Sequence, residues 1–161
     1  MRRIVGLECA FGEGEVTILQ TRLTNNIINA YPRKIFQHDC PLPPIPKMTL
    51  DEQEAIMEAT PFRLVIGLLA YLASGLRPDL AFAVNYLARH STAPTRTHWT
   101  MLDHLVGYLL KTRGHGIVLC PRDCSLNLWG GKLERSQLGF MLKLGDAPIL
   151  WGSKQQTMVA L

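Results

Sequence analysis

The sequence lacks an apolar run long enough to cross a membrane. Its longest dense apolar stretch, Leu64–Ala73, has ten residues and lies between Arg63 and Arg77, whereas a membrane-spanning helix needs about 20. At the basic N-terminus, Glu8 interrupts the apolar run before it reaches the length of a signal peptide. We therefore expect no transmembrane segment, no signal peptide and no membrane partner.

Cysteine is sparse, and glycine and proline occur at ordinary levels. With 4 cysteines in 161 residues, the chain is no disulfide scaffold, which favours a reducing compartment. The 13 glycines and 10 prolines exclude collagen-like and low-complexity classes. Hydrophobic residues make up 47% and charged residues 19% of the chain, which is typical of one globular domain or pieces of two.

Motifs that carry chemistry are missing as well. The chain has no P-loop and no Gly-x-Ser-x-Gly or Gly-x-Gly-x-x-Gly motif. Cys120 and Cys124 form a single pair, while a zinc site needs four ligands. His98 and His104, six residues apart, are expected on the surface. The residues alone therefore predict no catalytic or metal site.

The sequence does have an uneven distribution of charged residues along its length. Residues 1–60 contain six Lys/Arg and eight Asp/Glu, a net charge of −2, and residues 61–161 contain eleven and five, a net charge of +6. A solvated surface with a slight basic excess is the simpler explanation of this charge alone. Contact with a polyanion is the alternative.

Apolar spacing predicts a mixed fold of segregated blocks, which is the α+β class. The first block is a hairpin of strands 3–10 and 15–19, followed by a helix over Thr21–Ala30 that ends before Pro32. A proline-rich spacer over 41–46 and an acidic helix start at Asp51–Glu54, capped by Thr49, come next.

Three helices and a small antiparallel sheet complete the prediction. The helices run from Pro61 to Ser74, from Pro78 to His90, and from a Thr97 cap to Arg113. The first of them is apolar nearly all round and is expected to be buried on several sides, with Gly67 allowing another backbone to approach. The predicted strands are 116–120, 125–129, 139–144 and 147–151, with a Gly145–Asp146 turn between the last two.

Several segments, in this order, resemble the C-terminal half of copia-type retrotransposon reverse transcriptases and the start of their RNase H domain. They are Ile4–Glu8, Val16–Gln20, Phe62–Ala73, Arg77–Val84, His98–Trp99, Gly107–Leu109 and Ile149–Leu161. The resemblance implies four parts: the end of the polymerase palm (1–40), a proline-rich linker and acidic helix start (41–60), a helical thumb and connection (61–115), and truncated RNase H-like strands (116–161).

The resemblance also implies weak, salt-sensitive binding of a template–primer duplex, either RNA–DNA or DNA. Gly6, Leu7 and Glu8 would belong to a hairpin that positions the primer. The expected phosphate contacts are Arg63, Arg89, Arg96, Lys111 and Arg113. Arg77 is a further candidate, with an ion pair to Asp79 in a structural turn as the equal alternative.

The departures from the family predict that catalysis is lost. The family's Tyr-x-Asp-Asp turn is absent, and Leu126 and Leu128 occupy the positions of the RNase H aspartates. Leucine offers no oxygen to magnesium, so we expect no metal, no cofactor and no enzymatic activity. The chain also ends before the helix that carries the family's next catalytic glutamate.

Two other hypotheses stay open. The chain could be an interaction module that associates with an intact reverse transcriptase or pairs through open strand edges, or a transposon relic without function. The family's particles place it in the cytoplasm, with the nucleus as the alternative.

Overall fold

The computed structural model describes residues 2–4, 6–44, 62–120, 125–133 and 137–155. It has mixed α+β content, as predicted. The strands are β1 (Arg2–Ile4), β2 (Leu7–Gly12), β3 (Glu15–Leu19), β4 (Ile117–Leu119), β5 (Leu126–Leu133), β6 (Gln137–Leu144) and β7 (Ala147–Gln155). The helices are α1 (Thr21–Ala30), α2 (Phe62–Gly75), α3 (Ala81–Ala88) and α4 (Arg96–Lys111), and a short 3-10 turn at Pro78–Leu80 leads into α3. The last two residues of the proline-rich spacer, the predicted Thr49 cap, the acidic stretch Asp51–Glu54 and Cys124 lie outside the described residues.

The first sheet is antiparallel in the order β1–β2–β3–β4. The predicted single strand over 3–10 is wrong, because the chain turns at Gly6, whose φ of 82° lies in the left-handed region. The turn pairs Arg3 with Glu8 and splits the segment into β1 and β2. The predicted β2–β3 hairpin is confirmed, with Gly12 opposite Glu15.

Strand β4 joins this first sheet rather than the later strands. Ile117 lies opposite Ile18 and Leu119 opposite Val16. The strand itself is as predicted, but its partner lies about a hundred residues upstream, which local periodicity does not encode. The domain boundary expected between residues 115 and 116 therefore lies directly before β4, a strand that pairs with the N-terminal hairpin.

The core lies between the helices. Leu69, Leu80, Leu102, Leu105 and Leu109 are fully buried, and the predicted inward positions of α4, including Trp99 and Val106, are buried too. The predicted Thr97 cap is wrong: α4 begins at Arg96 with Thr95 as its N-cap, since Thr95 and His98 form a capping box.

Two expectations for α2 are also wrong. One face of the helix is exposed, with Leu64 at 58% and Tyr71 at 57%. A Cβ added at Gly67 would meet no atom of the described residues within 4 Å, so none of their backbone approaches there. The close approach occurs at Gly107 in α4, where an added Cβ would lie 1.9 Å from the Phe36 carbonyl oxygen.

The second sheet has the order β5–β6–β7. Its Gly145–Asp146 turn is confirmed, with Gly145 at a φ of 58°. The sheet docks on the helices through two hydrogen bonds: Trp151 Nε1 donates to the Ala73 carbonyl at 2.8 Å, and Asn85 Nδ2 donates to the Ser153 carbonyl at 2.7 Å. In the part of the chain described, no helix is both long and apolar enough to span a bilayer.

Candidate nucleic-acid interface

Three of the predicted phosphate contacts lie at the same end of the helical layer. The Phe62 and Trp99 rings are 5.1 Å apart, so α2 and α4 begin side by side. The His90 and His98 rings stack at 4.0 Å, which brings the end of α3 to the same place. We call Arg63, Arg89 and Arg96 the arginine end; all three are exposed, and the Arg89 guanidinium lies over the Tyr86 ring.

The other two predicted contacts lie at the opposite end of α4. The helix has 16 residues and is therefore about 24 Å long. Lys111, in its last turn, forms an ion pair with Asp39 and lowers the pKa of that carboxyl. Arg113 follows the helix and is exposed. One duplex contact through all five residues would therefore have to span the length of α4.

Arg77 is buried, at 2% exposure, and serves the fold. Its Nε and one Nη donate to both oxygens of Asp79, at 2.9 and 2.7 Å. Its guanidinium also donates to the Thr112 carbonyl at 3.0 Å and to Thr112 Oγ1 at 2.6 Å. The expected alternative, a structural ion pair with Asp79, is confirmed, and Arg77 is no phosphate contact.

Asp79 links this turn to α4. Tyr108 donates its hydroxyl to the Asp79 carboxylate at 2.9 Å. Burial raises the pKa of Asp79, but the hydrogen bonds and charge of Arg77 outweigh it, so the pKa lies below its usual value. Burial and the bond to Asp79 raise the pKa of Tyr108. The Arg77–Asp79 pair thus ties the α2–α3 connection to the end of α4.

The predicted primer-positioning residues lie away from the arginine end. Gly6 forms the β1–β2 turn, and Glu8 is buried beside β3. Leu7 packs with a small cluster that contains Leu76, just past the end of α2. Because α2 has 14 residues, about 21 Å separates its two ends. The structure therefore does not bring the hairpin and the arginine end together.

The expectation that His98 is a surface residue is wrong, since it is only 2% exposed. Its Nδ1 accepts the backbone N–H of Thr95 at 3.1 Å, and its buried Nε2 has no hydrogen-bond partner within the described part of the chain. Burial, followed by the charge of the stacked His90, lowers the pKa of His98 to about 4. The sequence did contain an indication of this role, because His98 lies three residues after Thr95, the spacing of a capping box.

This pKa predicts that acid destabilises the protein. Between its unfolded pKa of 6.5 and its folded pKa of about 4, His98 binds a proton only in the unfolded chain. The contribution of neutral His98 to the free energy of unfolding is therefore complete above pH 6.5. It is lost as the pH falls toward 4, by at most about 1.4 kcal/mol per pH unit. Urea unfolding at about pH 7 and about pH 5 measures this loss.

His98→Gln is the matched control, because glutamine at this position keeps the capping acceptor and does not titrate. The variant is expected to lose less stability than the unmodified chain over the same pH range. Equal losses in the two proteins would show that His98 does not carry the acid sensitivity.

His104 lies in a second polar cluster, with His38 and Cys40. The two imidazole rings stack at 3.7 Å, and His104 Nε2 lies 3.0 Å from the Cys40 carbonyl oxygen. Burial, then the charge of His38, lowers the pKa of His104. Among the described residues, no group of three or more histidine, cysteine or acidic side chains is arranged to hold a metal ion.

Leu126 and Leu128, which the resemblance predicts at the positions of RNase H aspartates, do not fit magnesium. Leu126 and Leu128 lie on β5 and are 64% and 72% exposed. Their side chains present hydrocarbon where the metal would need carboxylate oxygens.

Sequence reasoning missed an exposed apolar surface on the second sheet. The strand register places seven side chains on one face, which we call the leucine face. They are Leu126, Leu128, Leu138, Phe140, Leu142, Leu144 and Leu150. The signal was present, because every second residue of β6 is large and apolar, a pattern that marks one sheet face.

An open cavity of about 380 Å³ lies on the other face of this sheet. Phe82 and Pro78 border it from the helices, and Trp129, Met141 and Trp151 border it from the sheet. The register aligns the last three directly across β5, β6 and β7. The cavity is mainly apolar and carries no charged lining residue.

Comparisons with known proteins place this segment among transposon polyproteins. The chain is 37% identical over 125 residues to the retrovirus-related Pol polyprotein from transposon RE2 of Arabidopsis thaliana, and 34% identical over 148 residues to that from transposon RE1. The matches cover 72% and 86% of this chain but 8% and 10% of those polyproteins. Secreted RxLR effector protein 161 of Plasmopara viticola is 33% identical over 113 residues, which are 65% of this chain and 80% of that protein.

No protein-family model and no solved structure matches the chain. The similarity to the polyproteins nevertheless extends over most of its length and agrees with the segments that resemble copia-type elements. The chain spans about a tenth of the length of the polyproteins it matches. It belongs to the family of retrovirus-related Pol polyproteins of copia-type transposons.

Proposed function

We propose that the chain is a nucleic-acid-binding segment of such a polyprotein, comprising the end of a reverse-transcriptase palm, a helical thumb and the first RNase H-like strands. It binds an RNA–DNA or DNA duplex weakly and catalyses no reaction itself. Contact with phosphates is independent of base sequence and is made by arginine and lysine side chains. The observation that carries this proposal is the arginine end, where the exposed Arg63, Arg89 and Arg96 lie on neighbouring ends of α2, α3 and α4.

The arrangement suits a phosphate backbone because three exposed guanidinium groups are carried by neighbouring helix ends, and arginine is well suited to bind phosphate. Arg77 is excluded from it by burial, and the Lys111–Asp39 ion pair lies at the opposite end of α4. We therefore assign binding to the arginine end, with Lys111 and Arg113 as a secondary contact. Leu126 and Leu128 support the proposed lack of catalysis, since they cannot hold the family's magnesium.

Fluorescence anisotropy with a labelled RNA–DNA hybrid tests the proposal. Binding is expected at about 50 mM salt and is expected to weaken strongly by about 200 mM, as counterion release requires. The variant with Arg63→Gln, Arg89→Gln and Arg96→Gln is expected to bind more weakly, with a salt slope smaller by roughly 0.9 for each phosphate contact removed.

The matched control removes three exposed cations elsewhere, with Arg22→Gln, Lys34→Gln and Lys154→Gln. It makes the same change in net charge and is expected to keep most of the salt slope. Equal effects of the two triple variants would assign binding to overall charge, and no binding at low salt would remove the proposal.

A second candidate function is association with a longer Pol polyprotein, and the leucine face favours it. Six of its side chains are between 36% and 72% exposed, and contiguous exposed apolar patches mark protein contacts. Co-purification with a full-length polyprotein that survives nuclease treatment would support this candidate over nucleic-acid binding.

A further inference from the structure

His90 lies beside the arginine end and is held there by ring stacking. It directly follows Arg89 at the end of α3, and its imidazole stacks on that of His98, with the ring centroids 4.0 Å and the ring planes 20° apart. His98 is in the first turn of α4, two residues after Arg96. The stack therefore fixes the half-buried His90 imidazole between the two helix ends that carry Arg89 and Arg96.

The charged groups next to His90 on α3 and α2 are positive. α3 contributes Arg89, together with the phenol of Tyr86, whose ring centroid lies 5.4 Å from that of His90. α2 contributes Arg63, in its first turn. Burial, then the charge of Arg89, lowers the pKa of His90. In the free protein, His90 is therefore mainly neutral at about pH 7.

On α4, the groups that bear on His90 are Arg96 and the stacked His98. The Nδ1 of His98 accepts the backbone N–H that begins α4 at 3.1 Å, so its ring proton is on Nε2 and a second proton would break the helix cap. Two charged imidazoles stacked at 4.0 Å would also repel each other. The acidic residue of α4, Asp103, is in an ion pair with Arg33 at 2.8 Å. Near neutral pH the stacked pair therefore accepts one proton, and His90 is its site.

We propose that His90 is a further phosphate contact of the arginine end and that its imidazole takes up one proton from solvent when a duplex binds. This inference rests on the proposed function, because the anion that it requires is the phosphate backbone. Without an anion, a charged His90 is repelled by Arg89 and the other arginines. A phosphate beside them reverses this balance, and the charged imidazole then donates an N–H to a phosphate oxygen.

The pH dependence of binding tests the coupling. The affinity for a labelled, fully base-paired RNA–DNA hybrid at about 50 mM salt is expected to rise roughly three- to tenfold from about pH 7.5 to about pH 6.0, since uptake of one proton allows at most about tenfold per pH unit. His90→Gln keeps a polar side chain that does not titrate and is expected to remove this rise. Circular dichroism at both pH values confirms that the proteins are folded.

His115→Gln is the matched control. His115 is an exposed histidine beyond the far end of α4, so its replacement is expected to leave the rise in affinity intact. A constant affinity of the unmodified chain, or an equal loss of the rise in both variants, overturns the coupling while the proposed function stands. No binding at either pH overturns the proposed function and the coupling together.

Proton NMR gives the direct measurement, because the ring Cε1–H signal of each of the 5 histidines follows its own protonation. Comparison with the two glutamine variants assigns the signals of His90 and His115. On addition of saturating duplex, the pKa of His90 is expected to rise by about 0.5–1 and that of His115 to change less. An unchanged pKa of His90 in the complex would contradict the proposal, even if the affinity varied with pH.

Discussion

Arg77→Leu is expected to lower the free energy of unfolding by about 2–4 kcal/mol, somewhat less than breaking a fully buried ion pair, because the Asp79 side chain is 33% exposed. The variant leaves the Thr112 carbonyl without its donor and Asp79 without its charge partner. It also releases the α2–α3 connection from the end of α4. Urea unfolding followed by circular dichroism measures the loss.

Two further variants test whether the loss comes from the specific contacts of Arg77 or from removing any arginine. Arg77→Lys keeps the charge but not the planar fork that reaches Asp79 and Thr112 together, so its loss is expected to be intermediate. Arg22→Leu replaces an exposed arginine and is expected to change stability by no more than about 0.5 kcal/mol. A loss below about 1 kcal/mol for Arg77→Leu would show that the buried pair does not hold the fold together.

Gly107→Ala is expected to destabilise the protein by about 1–3 kcal/mol, the range for an overpacked core. The added Cβ would lie 1.9 Å from the Phe36 carbonyl oxygen and 2.8 Å from His38 Cδ2. The backbone segment around Phe36 must therefore move away from α4. Thermal unfolding measures the change in stability, and the Asp39–Lys111 ion pair, next to this contact, is expected to weaken with it.

Gly67→Ala is the matched control, because the same substitution in α2 meets no atom within 4 Å. It is expected to stabilise the protein by about 0.5–1 kcal/mol through helix propensity alone. The same glycine-to-alanine substitution is therefore expected to destabilise the protein at position 107 and to stabilise it at position 67. Similar effects at both positions would contradict the close packing at Gly107.

The sequence was enough to name the basic residues of the candidate site, but it did not show which of them lie near one another. Arg63, Arg89 and Arg96 are readable as basic residues near predicted helix ends. Their common location depends on ring contacts between α2, α3 and α4, which join residues far apart in the chain. The same packing separates Lys111 and Arg113 from them and buries Arg77, so the six basic candidates divide into two surface groups and one structural residue.

Local patterns determined the helices, the β2–β3 hairpin and the Gly145–Asp146 turn, because side-chain periodicity and turn chemistry act over a few neighbouring residues. The residue order alone also indicated the family, which the transposon polyproteins confirm. Only the tertiary structure decided that β4 pairs with β3, that Gly107 rather than Gly67 meets another backbone, and that His98 is buried. Each of these depends on which distant segments pack together, and that is set by the summed burial of the whole core rather than by any local pattern.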